Sequence, residues 1–230
     1  MTSTPGAATA APPTMRYLVV AVLFVACLIA ANVIATKIVT LAGVTLSAAI
    51  VIFPLSYILG DILTEVYGFA RTRTVIWLGF AGNLIAVGAI WLGGLLPAAS
   101  FWPNQAAYDA ILGATPRILA ASFVAYLIGE FANAYVLAKM KIATQGRHLW
   151  ARTIGSTLIG QGLDTAVFLA IAFAGVLPTE ALLSLIVAQW LAKSAYEALA
   201  TPLTYAAVNY LKRVDRSDVY DRGTRFGPLG

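Results

Sequence analysis

Apolar positions run on for long stretches of this chain, and the polar ones between them are few enough to be read singly. Six runs, 16–38, 44–68, 73–96, 117–139, 152–175 and 181–210, consist mainly of Ala, Val, Leu, Ile and Phe. Each reaches the roughly 20 residues that a helix needs to cross a hydrocarbon core about 30 Å thick. Within lipid, a helix satisfies all of its own backbone hydrogen bonds, so long unalternating apolar runs predict spanning helices. The pattern predicts an all-α integral membrane protein, a bundle of six transmembrane helices. Residues 1–15, rich in Ala, Thr and Pro, read as a disordered N-terminal tail, 16–211 as the transmembrane domain and 212–230 as a C-terminal tail. The charges of that last segment alternate in sign and read as solvated. Arg16 before the first apolar run reads as the flank of a retained signal anchor rather than of a cleaved leader.

Composition agrees with this reading. Of 230 residues, 60% are hydrophobic and 11% charged, against about 25% charged in an ordinary soluble domain; mean hydropathy is +0.83. The basic residues then set an orientation. Arg16, Arg71, Arg73, Lys139, Lys141, Arg147, Arg152, Lys212, Arg213, Arg216, Arg222 and Arg225 fall on one side of the predicted bundle, and Lys37 and Arg117 on the other. This asymmetry predicts both termini in the cytoplasm. It also accounts for the net charge of +5 without a nucleic-acid partner. Cys27 is alone and inside the first span, and His148 stands in a predicted cytoplasmic loop beside Trp150. Neither a disulfide framework, a metal site nor a nucleophile with its histidine is available, which argues against an enzyme and against a bound cofactor. In the longest external loop, Phe101, Trp102 and Tyr108 are expected at the lipid headgroups.

The exceptions within the spans carry the chemistry. Asn32, Asp61, Glu65, Asn83, Glu130, Asn133, Gln161, Asp164, Gln189, Lys193 and Glu197 all lie in predicted helices. An ionisable group at a bilayer centre costs about 2.5–3.5 kcal/mol on the lenient insertion scale, so the ionisable ones must face inward. Their spacing fits. Asp61 and Glu65 are i, i+4; Glu130 and Asn133 are i, i+3, as are Gln161 and Asp164; Gln189, Lys193 and Glu197 follow at i, i+4, i+8. Residues so spaced share a helix face, and four such faces would converge on one hydrated chamber, the usual place for a small-molecule site in a bundle. Glu130 and Asp164, far from flanking cations, are the foremost candidates. Asp61 and Glu65 also lie near Arg71 and Arg73 and would suit a helix-end ion pair, while Lys193 and Glu197 can pair along their own helix. Asn32 and Asn83 read as interhelical hydrogen-bond glue. Five acids and one lysine cannot all stay ionised in a poorly hydrated space. Protons or a cation must make up the difference, which leaves proton coupling open.

Pro54 and Pro202 are expected to interrupt the second and sixth spans. A short echo, "YILGD" at 57–61 and "YLIGE" at 126–130, places a Gly beside an acid in two spans of the same direction. Gly60, Gly129, Gly160 and Gly162 read as close-packing points.

The strings "FPLSYILGDILTEVYG", "GEFANAYVLAKMKI", "RTIGSTLIGQGLDTAVF", "QWLAKSAYEALATPLTYAAVNYLK" and "DVYDRGTRFGP" together resemble the queuosine precursor transporter family, also called the VUT family. The resemblance runs in order from about Asn32 to Pro228 and leaves out residues 1–15. It implies a six-helix importer in the bacterial inner membrane for 7-cyano-7-deazaguanine and 7-aminomethyl-7-deazaguanine, salvaged for queuosine in tRNA. A deazaguanine offers N1–H and a 2-amino group side by side, which one carboxylate, Glu130 or Asp164, can accept in paired geometry. Asn133 or Gln161 can donate to the 6-oxo oxygen without adding charge. Tyr57, Phe131, Tyr196 or Trp190 can stack on the flat ring. A spare carboxylate such as Asp61 or Glu65 would favour the cationic aminomethyl compound. The competing expectation is a substrate-binding subunit of an energy-coupling-factor vitamin importer, which would dock through small residues such as Ala26, Ala30, Ala31 and Ala35. Self-association stays open on either reading.

Overall fold

Thr14 starts the fold by accepting a hydrogen bond from the Tyr17 amide at 3.1 Å, capping α1, Met15–Ile34. The computed structural model of the protein describes residues 13–41, 44–113 and 116–229. Beyond α1 the chain forms an antiparallel hairpin, β1 (Ile38–Leu41) with β2 (Val44–Ser47), pairing Ile38 with Ser47 and Leu41 with Val44. These residues were expected to end the first span and begin the second. Ile38, Val39, Thr40, Val44 and Thr45 are β-branched and suit extended backbone, so the two spans are shorter than the apolar run implies.

A short tight turn, Ala48–Val51, leads to α2, Phe53–Ile62. Pro54 lies in the first turn of α2, where its missing N–H has no helical partner to lose. It starts the helix, and the expectation that it interrupts the span is corrected. α2 runs on into a wide π turn, Leu63–Tyr67, closed by Gly68 at φ +85°. Four long helices follow: α3 (Phe69–Leu95), α5 (Pro116–Ala143), α6 (Leu149–Phe173) and α7 (Thr179–Asp215), with a short α4 (Gln105–Leu112) inside the predicted external loop. α7 continues through Pro202 instead of breaking there, the second correction to the proline reading. Five segments are long and apolar enough to cross a membrane: α1, 48–67, α3, 105–143 and α6. α7 is also long enough, at 37 residues, but more polar, so five or six helices fit a membrane.

Burial is inverted relative to a water-soluble protein. Asp61, Glu65, Ser56 and Gln161 are wholly buried, while Leu199, Ile85, Val51 and Leu92 are exposed. That distribution suits helices whose outer faces meet lipid and whose inner faces meet each other. α5 and α6 form the closest pair. A Cβ on Gly160 would stand 2.6 Å from the Cβ of Asn133 and 3.0 Å from the Gly129 carbonyl oxygen, so the two backbones touch where both residues are glycine. This is the close packing expected of those glycines.

Both ends of the described chain meet at one end of the bundle, where Arg16 pairs with Asp215 at 2.9 Å and Tyr67 donates to Asp215 at 2.6 Å. The C-terminal tail, expected to be solvated, is docked there. Ser217 Oγ and the Val219 amide both donate to the Val66 carbonyl, and the Phe69 amide donates to Asp221 at 2.9 Å. Phe226 packs on Phe69 and Tyr135, and Arg73 donates to the carbonyls of Arg225 and Gly227. Gly68 is required here, because a Cβ on it would come within 2.6 Å of Val219. At the other end, Arg117 caps α6 by donating to the carbonyls of Ile171 and Ala174. Tyr108 of α4 donates to the Ile90 carbonyl of α3, and Phe101 is 88% exposed.

Candidate functional site: buried acids beneath a cavity

The polar faces predicted on α2, α5, α6 and α7 do converge, though not all of their residues arrive together. Asp61 of α2 accepts a hydrogen bond from Asn133 Nδ2 of α5 at 2.8 Å. Glu130 lies within electrostatic reach of Asp61, Asp164 and Glu197, Asp61 is within reach of Glu197, and the Tyr57 hydroxyl shares their neighbourhood. The Gly–acid echo takes a physical form here. A Cβ on Gly60 would stand 3.3 Å from Glu130 Oε2, and one on Gly129 would stand 2.7 Å from Asp164 Cβ and 2.9 Å from the Tyr57 hydroxyl. Each glycine makes room for the acid or the tyrosine of the opposing helix.

The cluster is dry and poorly satisfied. Glu130, Asn133, Gln161 and Glu197 are all at most 2% exposed. Yet Asp61 Oδ2, Glu130 Oε1, Asn133 Oδ1, both amide atoms of Gln161 and both oxygens of Glu197 have no hydrogen-bond partner, and neither have the hydroxyls of Tyr57, Thr157 and Ser194. Glu197 approaches Asp61 and Thr157, but without the geometry of a formed bond. Buried polar atoms are nearly always paired in folded proteins, and leaving one bare costs about 1–3 kcal/mol. So many on one set of facing helices amount to hydrogen-bonding capacity that the chain itself does not use.

A cavity of about 140 Å³ lies against this cluster, close to the size of cavity that takes a single small ring. Asp164, Lys193 and Gln189 line it, with Phe53, Phe123, Tyr126 and Phe168 among its apolar walls. Asn32 and Asn83 also line it and bond to each other at 2.8 Å, the glue expected of them. Lys193 donates to Asp164 at 3.0 Å and stands 4.4 Å over the Phe53 ring. Asp164 is thus the joint between cavity and cluster; Glu130, Asp61, Asn133, Gln161, Glu197 and Tyr57 lie behind the lining.

Glu65 falls elsewhere. Its carboxylate takes Arg152 Nη2 at 2.8 Å and Nε at 3.3 Å, and Lys212 Nζ at 2.6 Å. Lys141 donates to the Glu65 carbonyl and pairs with Asp218 at 2.6 Å, as does Lys212 at 2.8 Å. Arg152 is twelve residues before Asp164 on α6, or about 18 Å along a helix. Glu65 therefore anchors a separate ion-pair network at the tail end of the bundle. Glu65 stands four residues beyond Asp61, about one turn nearer the tail end, where Arg152, Lys141 and Lys212 reach it. The helix-end ion pair was foreseen for this residue, but its cations are Arg152, Lys141 and Lys212, which sequence reading counted only as flanking charges. Thr157 was also missed, although it precedes Gln161 by four residues on the same α6 face.

Of the stacking candidates, Tyr57 alone sits beside the acids. Phe131 packs on Phe69 and Trp77, Trp190 donates to the Leu158 carbonyl, and Tyr196 is exposed. His148 is exposed and caps the start of α6 in a left-handed conformation, φ +54°, away from the cluster, as expected. Among the described residues no group of His, Cys, Asp and Glu is arranged to hold a metal ion.

Comparison with known proteins bears on this geometry. The family model described as "Putative vitamin uptake transporter" matches residues 47–207, a stretch that contains every acid of the cluster. A Bacillus subtilis (strain 168) protein named "Probable queuosine precursor transporter" is 34% identical over 160 residues, covering 68% of this chain and 69% of the relative. The Escherichia coli (strain K12) "Queuosine precursor transporter" is 28% identical over 121 residues, covering 53% of this chain and 52% of the relative. This chain matches about half the length of the second. No solved structure matches the fold.

Proposed function

Because the chain belongs to the vitamin uptake transporter family, a family of transporters and not of enzymes, we propose that it imports queuosine precursors across a bacterial inner membrane. The substrates are 7-cyano-7-deazaguanine and 7-aminomethyl-7-deazaguanine, and both termini face the cytoplasm, with six helices spanning. The observation that carries this reading is the set of unsatisfied atoms behind the cavity. Glu130 Oε1 is a bare acceptor, and Gln161 has a bare donor and a bare acceptor. A deazaguanine has the complementary set: two adjacent donors on its pyrimidine edge and an acceptor at the 6-oxo oxygen.

In this reading the base first enters the cavity, where Asp164 and Gln189 meet its polar edge and Phe53 and Phe168 its faces. Lys193 holds Asp164 until the substrate's donors replace it. Beyond Asp164 the base reaches Glu130, with Gln161 and Asn133 on the oxo side and Tyr57 against the ring. The substrate supplies partners for atoms that otherwise have none, so binding strength comes largely from relieving that deficit. The cationic aminomethyl compound gains an extra carboxylate contact that the cyano compound cannot use.

The test is uptake by the purified chain alone in proteoliposomes, wild type against Glu130→Gln. We expect uptake without any partner protein and at least a hundredfold loss in the variant, with the variant present in the membrane at the wild-type amount. Normal uptake by Glu130→Gln would remove Glu130 from the site. A wild-type chain inactive until a partner is added would favour the substrate-binding-subunit reading.

A further inference from the structure

Three acids of the cluster have no cation upon them among the described residues. Asp61, Glu130 and Glu197 are at most 2% exposed, and Lys193, one turn before Glu197 on α7, is bound to Asp164 and Thr165. The substrate reading above needs Glu130 as a carboxylate. For the uncharged cyano compound it has no use for Asp61 and Glu197, which neighbour each other from α2 and α7.

We propose that Asp61 and Glu197 form a proton-binding site distinct from the substrate's, and that it makes uptake a proton symport. The proposal rests on the substrate reading above and deepens it. Its footing is geometric. Asn133 satisfies Asp61 Oδ1 at 2.8 Å, while Asp61 Oδ2 and both oxygens of Glu197 are bare. The groups facing the pair are Tyr57 from α2, Glu130 and Asn133 from α5 and Thr157 from α6, with Gln161 and Asp164 following on the same α6 face and Lys193 one turn back on α7. Not one of these is a free cation. Two carboxylates side by side and shut off from water hold one shared proton strongly, the O–H of one donating to an oxygen of the other, and give it up only when water reaches them. Thr157 and Gln161, wholly buried with bare polar atoms on the same α6 face as Asp164, give the pair neutral hydrogen-bonding neighbours in either state.

The coupling follows from Glu130, which is within electrostatic reach of Asp61, Asp164 and Glu197. When Glu130 accepts the two donors of the base it is held as an anion. That negative charge next to the pair favours the proton's staying on it, and by linkage the proton on the pair leaves Glu130 free to stay charged for the base. Substrate and proton therefore bind together and are released together. The proton comes from water on the outer side and goes to water on the inner side, with no bond other than O–H broken or made.

The experiment uses the full chain in proteoliposomes with labelled 7-cyano-7-deazaguanine, which is uncharged, and a pH dye trapped inside. With acid outside and the membrane potential held at zero, one proton per substrate gives about tenfold accumulation per pH unit, since one unit is 1.36 kcal/mol. We expect that accumulation, its collapse by a protonophore, and internal acidification on adding substrate. Glu197→Gln and Asp61→Asn are expected to lose accumulation and acidification while still exchanging internal for external substrate, a readout that a misfolded protein would fail. Accumulation that ignores the protonophore, follows a sodium gradient, or persists in both variants overturns the proton site and leaves the substrate reading standing. Absence of exchange by the wild type overturns the substrate reading itself.

Discussion

Asp61 and Glu65 stand one turn apart in a single stretch of backbone, both wholly buried, and their surroundings are opposites. Glu65 is surrounded by cations: Arg152 and Lys212 bond both of its oxygens, and Lys141 approaches to 3.7 Å. Asp61 meets one neutral amide and, beyond it, two more acids. The Glu65 region is saturated with donors from α5, α6, α7 and the tail, and it closes one end of the bundle. The Asp61 region is left short of donors and lies next to a cavity. Burial is the same in the two regions; hydrogen-bond satisfaction is what differs. A buried charge with all its partners holds helices together, and a buried charge without them leaves its hydrogen-bonding capacity unused, which is why the proposed site is placed there.

The contrast breaks if the two carboxylates respond alike to neutralisation. Glu65→Gln leaves Arg152, Lys141 and Lys212 without their central anion, and removing one member of a buried ion pair costs about 3–5 kcal/mol. Thermal unfolding in detergent should show a large drop, and the amount of protein in the membrane should fall. Asp61→Asn removes a carboxylate that has no cation, keeps an oxygen for Asn133, and is expected to change stability by less than about 1 kcal/mol. Equal losses in the two variants would mean that the unsatisfied cluster is as structural as the ion-pair network.

A smaller effect sharpens the comparison from the packing side. Gly129→Ala puts a methyl 2.7 Å from Asp164 Cβ and 3.1 Å from the Gly160 carbonyl oxygen, at the crossing that brings the acids together. Overpacking of this kind costs about 1–3 kcal/mol, and uptake should fall further than stability does, because Asp164 and Tyr57 are displaced. Gly88→Ala on α3 meets nothing within 4 Å and should gain a few tenths of a kcal/mol from helix propensity. Unfolding temperature and proteoliposome uptake on the pair of variants check both halves.

What could be read from the sequence follows from which forces leave a linear trace. Lipid exposure does, so α3, α5 and α6 lie within a few residues of their apolar runs. Helical phase does, so Asp61, Glu130, Asn133, Asp164 and Glu197 were brought to one place by spacing alone. Glu65 was not, because it lies one turn closer to the tail end, where cations of α5, α6 and α7 reach it and their approach leaves no mark in the spacing. The hairpin at 38–47 was hidden, since its β-branched residues are as apolar as a span. Docking of the tail was hidden for another reason. Val66, Arg225 and Gly227 accept through backbone carbonyls, which every residue has. Arg152, Lys141 and Lys212 look like headgroup cations until their partner is seen, because a charge near a helix end fits either setting.

The smallest expected effect concerns the rim of the saturated region, where Asp218 joins the tail to Lys141 and Lys212. Partial burial pushes its carboxyl up, but the hydrogen bonds from Lys141 and Lys212 outweigh this and hold it below the ordinary carboxylate range. A group lowered in this way adds stability above its unfolded value, about 3.9, and loses it as pH falls through the lower folded value. Tail docking should therefore be unchanged from pH 8 to 5 and loosen only below about pH 4. Because Asp218 is 45% exposed, solvent screening keeps the effect small. Asp218→Asn should reproduce at pH 7 the loosening that wild type shows in acid, read as faster proteolysis after residue 216, while the Glu65 network stays closed. If the tail instead came free at pH 6 in wild type, the contacts closing that end would be titrating well above the carboxylate range, and Asp218 would not be the group that holds it. The division between a fixed end and a responsive middle would then have to be redrawn.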